Sequence, residues 1–123
     1  MSMGKRILVV EDNSDNRILI TDVLNSLDYE VIVAVDGEEG IEMASSEKPD
    51  LILMDLSLPK MDGWTATKHI KDNTDLKHIP IIALTAHAMV GDRERAIEAG
   101  CDDYISKPID LRELANKLQQ YMG

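Results

Sequence analysis

Phenylalanine is absent from this 123-residue chain, cysteine occurs once, and aromatic residues make up only 3% of it. The lone cysteine, Cys101, excludes an internal disulfide and a cysteine-based zinc site. Beside Gly100 it reads as a small buried side chain. No apolar run approaches the roughly 18 residues that suggest a membrane span. No signal-peptide core follows the N-terminus, because Ile7-Leu8-Val9-Val10 gives way at once to Glu11-Asp12. Positive charge is also scarce, with 13 Lys and Arg against 23 Asp and Glu, for a net charge of −10. That balance disfavours binding to a nucleic-acid backbone, which needs a dense basic face. The length suits one domain with a real core. We therefore expect one cytoplasmic domain over residues 6–122, preceded by a short extension over 1–5, with no membrane or nucleic-acid partner.

Apolar character comes in five short runs: "ILVV" (7–10), "VIVAV" (31–35), "LILM" (51–54), "IPIIAL" (79–84) and "DYIS" (103–106). Near-continuous Ile, Leu and Val suit strands covered on both faces of a parallel sheet. Helical spacing fills the intervals. Ile20, Val23, Leu24 and Leu27 share one helix face, as do Leu111, Leu114, Ala115, Leu118 and Met122. Asp110 and Glu113 resemble a capping box. Gly37 and Gly40 bracket a shorter helix that ends near Ser46, before Pro49. Gly63 opens a third helix containing Ala66 and Ile70, and "DNTDLKH" (72–78) reads as a polar loop. Gly91 leaves the start of the fourth helix weakly specified, and Gly100 caps its end. Five β-α units in alternation imply a doubly wound α/β fold with right-handed crossovers.

Sites in open parallel sheets form beyond the carboxyl ends of strands. Strand one ends there in Glu11-Asp12, strand three in Asp55 and strand four in Thr85, while strand five runs into Lys107-Pro108. Strand two ends in Asp36-Gly37, an ordinary turn into a helix. Three carboxylates at one edge must stay partly protonated or share a cation. Oxygen ligands suit Mg²⁺, which keeps waters that a phosphate can displace. A lysine and a hydroxyl opposite can bind phosphoryl oxygens. Such parts support phosphoryl transfer onto a carboxylate, where positioning and electrostatics do most of the catalysis. Taken singly, each residue has a blander reading: a solvated turn, a helix cap, a strand-favouring threonine, a surface lysine. Their shared placement at strand ends, one helix apart, favours the joint one.

"ILVVEDN", "DLILMDLSLPKMDG", "PIIALTA" and "GCDDYISKPI" closely resemble the receiver domain of two-component response regulators, over roughly Arg6 to Tyr121. The resemblance implies a flavodoxin-like, doubly wound fold, a five-stranded parallel sheet in the order 2-1-3-4-5 with five flanking helices. It implies Asp55 as phosphoacceptor, taking a phosphoryl group from phosphohistidine on a histidine kinase or histidine phosphotransfer protein. Glu11, Asp12, Asp55 and the backbone carbonyl of Ser57 would hold Mg²⁺, and Thr85 and Lys107 would contact phosphoryl oxygens. Thr85 would move toward the phosphate and Tyr104 would rotate inward, switching the face built from the fourth helix, fifth strand and fifth helix. By the same resemblance, Ser57 and His87 would border the phosphoryl site and influence phosphoryl lifetime. His69 and His78 read as solvated, and Trp64 as packing.

The expected protein is a stand-alone phosphoacceptor rather than an enzyme, a monomer or a phosphorylation-dependent dimer. Its alternative is a receiver from a hybrid histidine kinase or larger regulator. An aspartate-nucleophile phosphatase would carry a second acid two positions after Asp55, where Ser57 stands. A flavodoxin-type electron carrier would need a hydroxyl-rich phosphate loop where Glu11-Asp12 stands, and aromatics to sandwich its flavin.

Overall fold

The computed structural model describes residues 4–56, 63–85, 94 and 97–122. Strands β1 (Arg6–Val10), β2 (Glu30–Ala34), β3 (Leu51–Asp55), β4 (Ile81–Thr85) and β5 (Asp103–Ser106) form one sheet. Its order is β2-β1-β3-β4-β5, and every pairing is parallel. Helices α1 (Ser14–Ser26), α2 (Gly37–Glu47) and α3 (Gly63–Asp72) connect the first four strands. Residues 94 and 97–99 are helical and belong to α4, between β4 and β5. The last helix, α5 (Leu111–Met122), follows β5. This is the doubly wound architecture expected from the sequence. No helix among the described residues is long and apolar enough to cross a membrane.

Strand alternation sorts the apolar residues into two cores. Leu8, Val10, Ile52, Met54, Ile81 and Ala83 pack with Ala44 of α2 and Ala66 and Ile70 of α3. The opposite face, built from Ile7, Val9, Leu51, Leu53, Ile82, Leu84 and Ile105, packs with Ile20 and Leu24 of α1 and Leu114 and Leu118 of α5. All residues of β3 and β4 are buried, which explains their lack of polar alternation. Cys101 is buried as expected, and burial first of all pushes its thiol up to about 11.

Local chemistry sets the helix ends. Asn13 caps α1 by accepting from the Asn16 N–H, and Asp36 caps α2 by accepting from the Glu39 N–H. At α5, Asp110 accepts from the Arg112 and Glu113 N–H groups at 2.9 and 3.2 Å. Gly100 closes α4 at φ +106°, its N–H donating to the Ile97 carbonyl.

Several details depart from expectation. Gly40 lies inside α2, where a Cβ would stand 3.0 Å from a Val10 methyl, so its role is close packing on β1. The helix runs to Glu47 and ends on a left-handed Lys48. The 72–78 segment is not wholly polar, because Leu76 is buried in the core. Lys71 fastens that segment, donating to the Ile79 carbonyl at 2.7 Å and to Asp102 Oδ2 at 2.9 Å. Leu111 is 46% exposed, so the buried stripe of α5 starts at Leu114. Gly91 lies outside the described residues.

Gly63 fixes how α3 enters the fold. A Cβ there would overlap the Asp55 carbonyl oxygen and approach the Leu56 Cα at 2.7 Å. Backbone atoms cannot rotate aside as a side chain can. We therefore expect Gly63→Ala to lower stability by about 1–3 kcal/mol, visible as an earlier urea midpoint at unchanged slope. A wild-type midpoint would show that α3 slides without cost.

Candidate functional site

Register brings the site residues together. Val10 pairs with Met54, which sets Glu11 beside Asp55 at the carboxyl edge. Asp55 pairs with Leu84, and Thr85 with Ser106, so Lys107 emerges one residue further along. The Lys107 N–H donates to the Thr85 carbonyl at 2.7 Å and keeps the strands together to that point. In alternation, Glu11, Asp55 and Lys107 continue the series of Val9, Leu53 and Ile105, all on the α1–α5 side. Thr85 continues the Ile81–Ala83 series on the opposite side, the side against which Tyr104 packs. The expected residues thus divide into a charged corner and a Thr85–Tyr104 side.

The charged corner is tight. Lys107 Nζ donates to Asp55 Oδ2 at 3.1 Å and to Glu11 Oε1 and Oε2 at 3.2 and 3.4 Å. Glu11 and Asp55 are buried, while Asp12 is exposed at the rim. One carboxylate oxygen from each of Glu11, Asp12 and Asp55 lies within 4.8 Å of the others. Burial pushes the Glu11 carboxyl up to about 7, and Asp55 pushes the same way by hydrogen bond and by charge. Asn16 and Lys107 oppose that rise. Burial would lower the Lys107 pKa, but the charges of Asp55 and Glu11 outweigh it and leave the ammonium above its ordinary range. Three carboxylates converge here and Lys107 bridges two of them, Glu11 and Asp55, which leaves the corner short of positive charge. Their hard oxygen donors fit a Mg²⁺ ion.

Two residues of the corner did not figure in the sequence reading. Asn16 Nδ2 donates to Glu11 Oε1 at 2.9 Å. Arg17 donates to the backbone carbonyls of Glu11 and Asp12 at 2.9 and 3.4 Å. Their signal was available in "EDNSDNR": Asn13 starts a helix whose first turn points donors back at the acidic pair. Ser57 and His87 lie outside the described residues. Thr85 is buried, and Trp64 and Tyr104 are half-buried against the core. His69 and His78 are exposed, as expected.

A groove borders the corner. Asn16, Leu19, Ile20, Lys107, Pro108 and Ile109 line a cavity of about 410 Å³. Beside it α1 exposes Ile18 and Leu19, at 59% and 49%.

A doubly wound parallel sheet with a lysine-bridged acidic corner at its carboxyl edge defines a signalling domain of the receiver type. The chain belongs to the response regulator receiver domain family, whose model matches residues 7–119. It is 44% identical over 121 residues to the polar-differentiation response regulator DivK of Brucella anthropi, covering 98% of both chains. It is similar to the receiver domain of the sensor histidine kinase PA1611 from Pseudomonas aeruginosa, with a TM-score of 0.90 and 43% identity over 96% of this chain and 97% of that one. That structure has a magnesium ion coordinated in its active site cleft. A third relative is the Saccharomyces cerevisiae Ssk1 receiver domain, crystallised with the histidine phosphotransfer protein Ypd1. It matches with a TM-score of 0.91 and 29% identity, over 98% of this chain and 90% of that one.

Proposed function

We propose that Asp55 accepts a phosphoryl group from phosphohistidine on a histidine kinase or phosphotransfer protein, in a Mg²⁺-dependent reaction. The observation that carries this reading is Lys107 Nζ, held between the buried Asp55 and Glu11 carboxylates. An Asp55 oxygen attacks phosphorus, the phosphorus–nitrogen bond breaks, and the imidazole leaves with the electron pair and takes up a proton. Lys107 orients the nucleophile before the attack and binds phosphoryl oxygens after it. Thr85 supplies a hydroxyl to the same oxygens. Glu11, Asp12, Asp55 and the Ser57 carbonyl would hold Mg²⁺, which supplies charge neutralisation for the transferring group. The raised pKa of Glu11 supports that assignment, because a bound cation would offset the crowding.

Residues 6–122 act as a cytoplasmic receiver that assists its own phosphorylation rather than as a turnover enzyme. Phosphate on Asp55 draws in Thr85, and Tyr104 on the same side of the sheet repacks. The phosphodonor must reach Asp55 past Lys107. The apolar surface of Ile18 and Leu19, beside the Lys107–Ile109 groove, is suited to seat it.

Leu19→Asp separates chemistry from docking. With Mg²⁺, acetyl phosphate should load the variant and the wild-type chain at equal rates. Transfer from a phosphorylated histidine phosphotransfer protein should slow on the order of tenfold or more, as for an interface anchor worth upward of 1.4 kcal/mol. Equal slowing with both donors would place Leu19 in the chemistry, and no slowing would move the docking surface elsewhere.

A further inference from the structure

Glu11 has two independent claims on one oxygen. Lys107 Nζ reaches Oε1 at 3.2 Å from just past the end of β5, and Asn16 Nδ2 reaches it at 2.9 Å from the first turn of α1. Lys107 is not a fixed tether, because it also holds Asp55 Oδ2 at 3.1 Å and Glu11 Oε2 at 3.4 Å. If Lys107 alone oriented Glu11, the carboxylate would lose its anchor whenever the ammonium turned to a phosphoryl oxygen. Asn16 does not depend on Lys107. Its backbone N–H is fixed at 3.0 Å by the Asn13 side chain that caps the helix. Arg17, next in sequence, ties the same turn to the Glu11 and Asp12 carbonyls.

We infer that Asn16 is a positioning residue, which holds the Glu11 carboxylate in metal-binding orientation independently of Lys107. This rests on the Mg²⁺ reading proposed above. The chemistry of the donor suits the task. An amide N–H orients a carboxylate without adding positive charge, so it does not compete electrostatically with an incoming cation. It occupies one lone pair of Oε1 and leaves the others for Lys107, the metal or its waters. Arg17 does carry a charge, but spends it on backbone carbonyls, where it fixes the Glu11-Asp12 chain path instead of neutralising the ligands. Partners that orient ligands in this way typically matter for affinity on the order of tenfold or more.

The test is Mg²⁺ titration by calorimetry on four proteins: wild type, Asn16→Ala, Glu11→Gln and the double variant. Asn16→Ala should weaken Mg²⁺ binding on the order of tenfold. Alanine keeps the backbone N–H that Asn13 caps and favours helix, so the melting temperature in EDTA should stay near wild type. In the Glu11→Gln background the same substitution should change Mg²⁺ affinity less than about twofold, since no carboxylate remains to be held. Equal losses in both backgrounds would mean that Asn16 acts through the fold and not through Glu11, which overturns the inference. So would unchanged affinity in Asn16→Ala. Asp12→Ala separates the two readings. If it abolishes binding while Asn16→Ala binds as wild type, only the positioning role fails. If the wild-type chain itself takes up no Mg²⁺, the metal reading fails and this inference fails with it.

Discussion

Phosphoryl uptake falls to background when Asp55 is replaced by asparagine. The test is intact-mass spectrometry of chain incubated with acetyl phosphate and Mg²⁺. Wild type gains one phosphoryl mass, and Asp55→Asn gains none. The size of the effect follows from the chemistry: an amide oxygen next to a neutral nitrogen is a far weaker nucleophile than a carboxylate, so the reaction loses its acceptor. The other carboxylates do not replace it. Glu11 is buried behind Lys107 and Asn16, and Asp12 is exposed at the rim. Asp55 alone is both at the end of the central β3 strand and in direct contact with Lys107. Asparagine is nearly isosteric and removes one of the three carboxylates that crowd the corner, so the variant should fold at least as well as wild type. Loss of uptake then reports chemistry and not unfolding. Equal uptake by Asp55→Asn would move the phosphoacceptor to another residue.

What the sequence made legible follows from which interactions are periodic and which are not. Strands read clearly because a parallel sheet covered on both faces demands continuous Ile, Leu and Val. Asp55 stood out for the same reason, as a charge at the end of "LILM". Lys107 and Glu11 could be assigned to one edge from topology alone, yet their contact depends on alternation carried past the strand ends. The boundaries were looser. The fourth run begins at Ile79 in sequence, but β4 begins at Ile81: Pro80 has no N–H to give the ladder, while its carbonyl still accepts from the Ile52 N–H at 2.9 Å. Leu76 was hidden in a polar segment because one buried side chain in a turn has no period. Leu111 was misplaced because its spacing fits the α5 stripe, although the first helical turn lies beyond the edge of the core. Asn16 and Arg17 escaped because their partners are a carboxylate oxygen and backbone carbonyls. Residue type does not announce such a partner; only their place in the first helical turn after Glu11-Asp12 does.

Without Mg²⁺, stability should fall as pH rises from about 4.5 to about 7, the interval between the ordinary and the native pKa of Glu11. The sign comes from proton counting. Across this interval the unfolded chain has already released the Glu11 proton while the native chain retains it. The native state therefore binds more protons, and raising the pH favours unfolding. The contribution is fully present below about 4.5 and is lost once pH passes about 7. At about 1.4 kcal/mol for each pH unit of the interval, the loss approaches roughly 3 kcal/mol, a large share of a small domain's stability. Asp103 does not confuse the window. Burial works against its ionisation, but Lys117 and the Tyr104 N–H outweigh it and hold the carboxyl below its ordinary 3.8. Tyr29 and Tyr121, both raised above 10.0, titrate above the window. The measurement is a set of urea unfolding curves between pH 5 and pH 8, in EDTA and in saturating Mg²⁺. In EDTA the midpoint should decline with pH. In Mg²⁺ the decline should flatten, because the cation favours the ionised carboxylate and binds only the native corner. Glu11→Gln should flatten the EDTA series as well, with no ionisable group left at that position. If wild type and Glu11→Gln declined in parallel, the pH dependence would belong to other groups, and the corner would not be short of positive charge. A flat Glu11→Gln series beside a declining wild type would tie the cost to the carboxylate that Lys107 and Asn16 share, the one a Mg²⁺ ion would relieve.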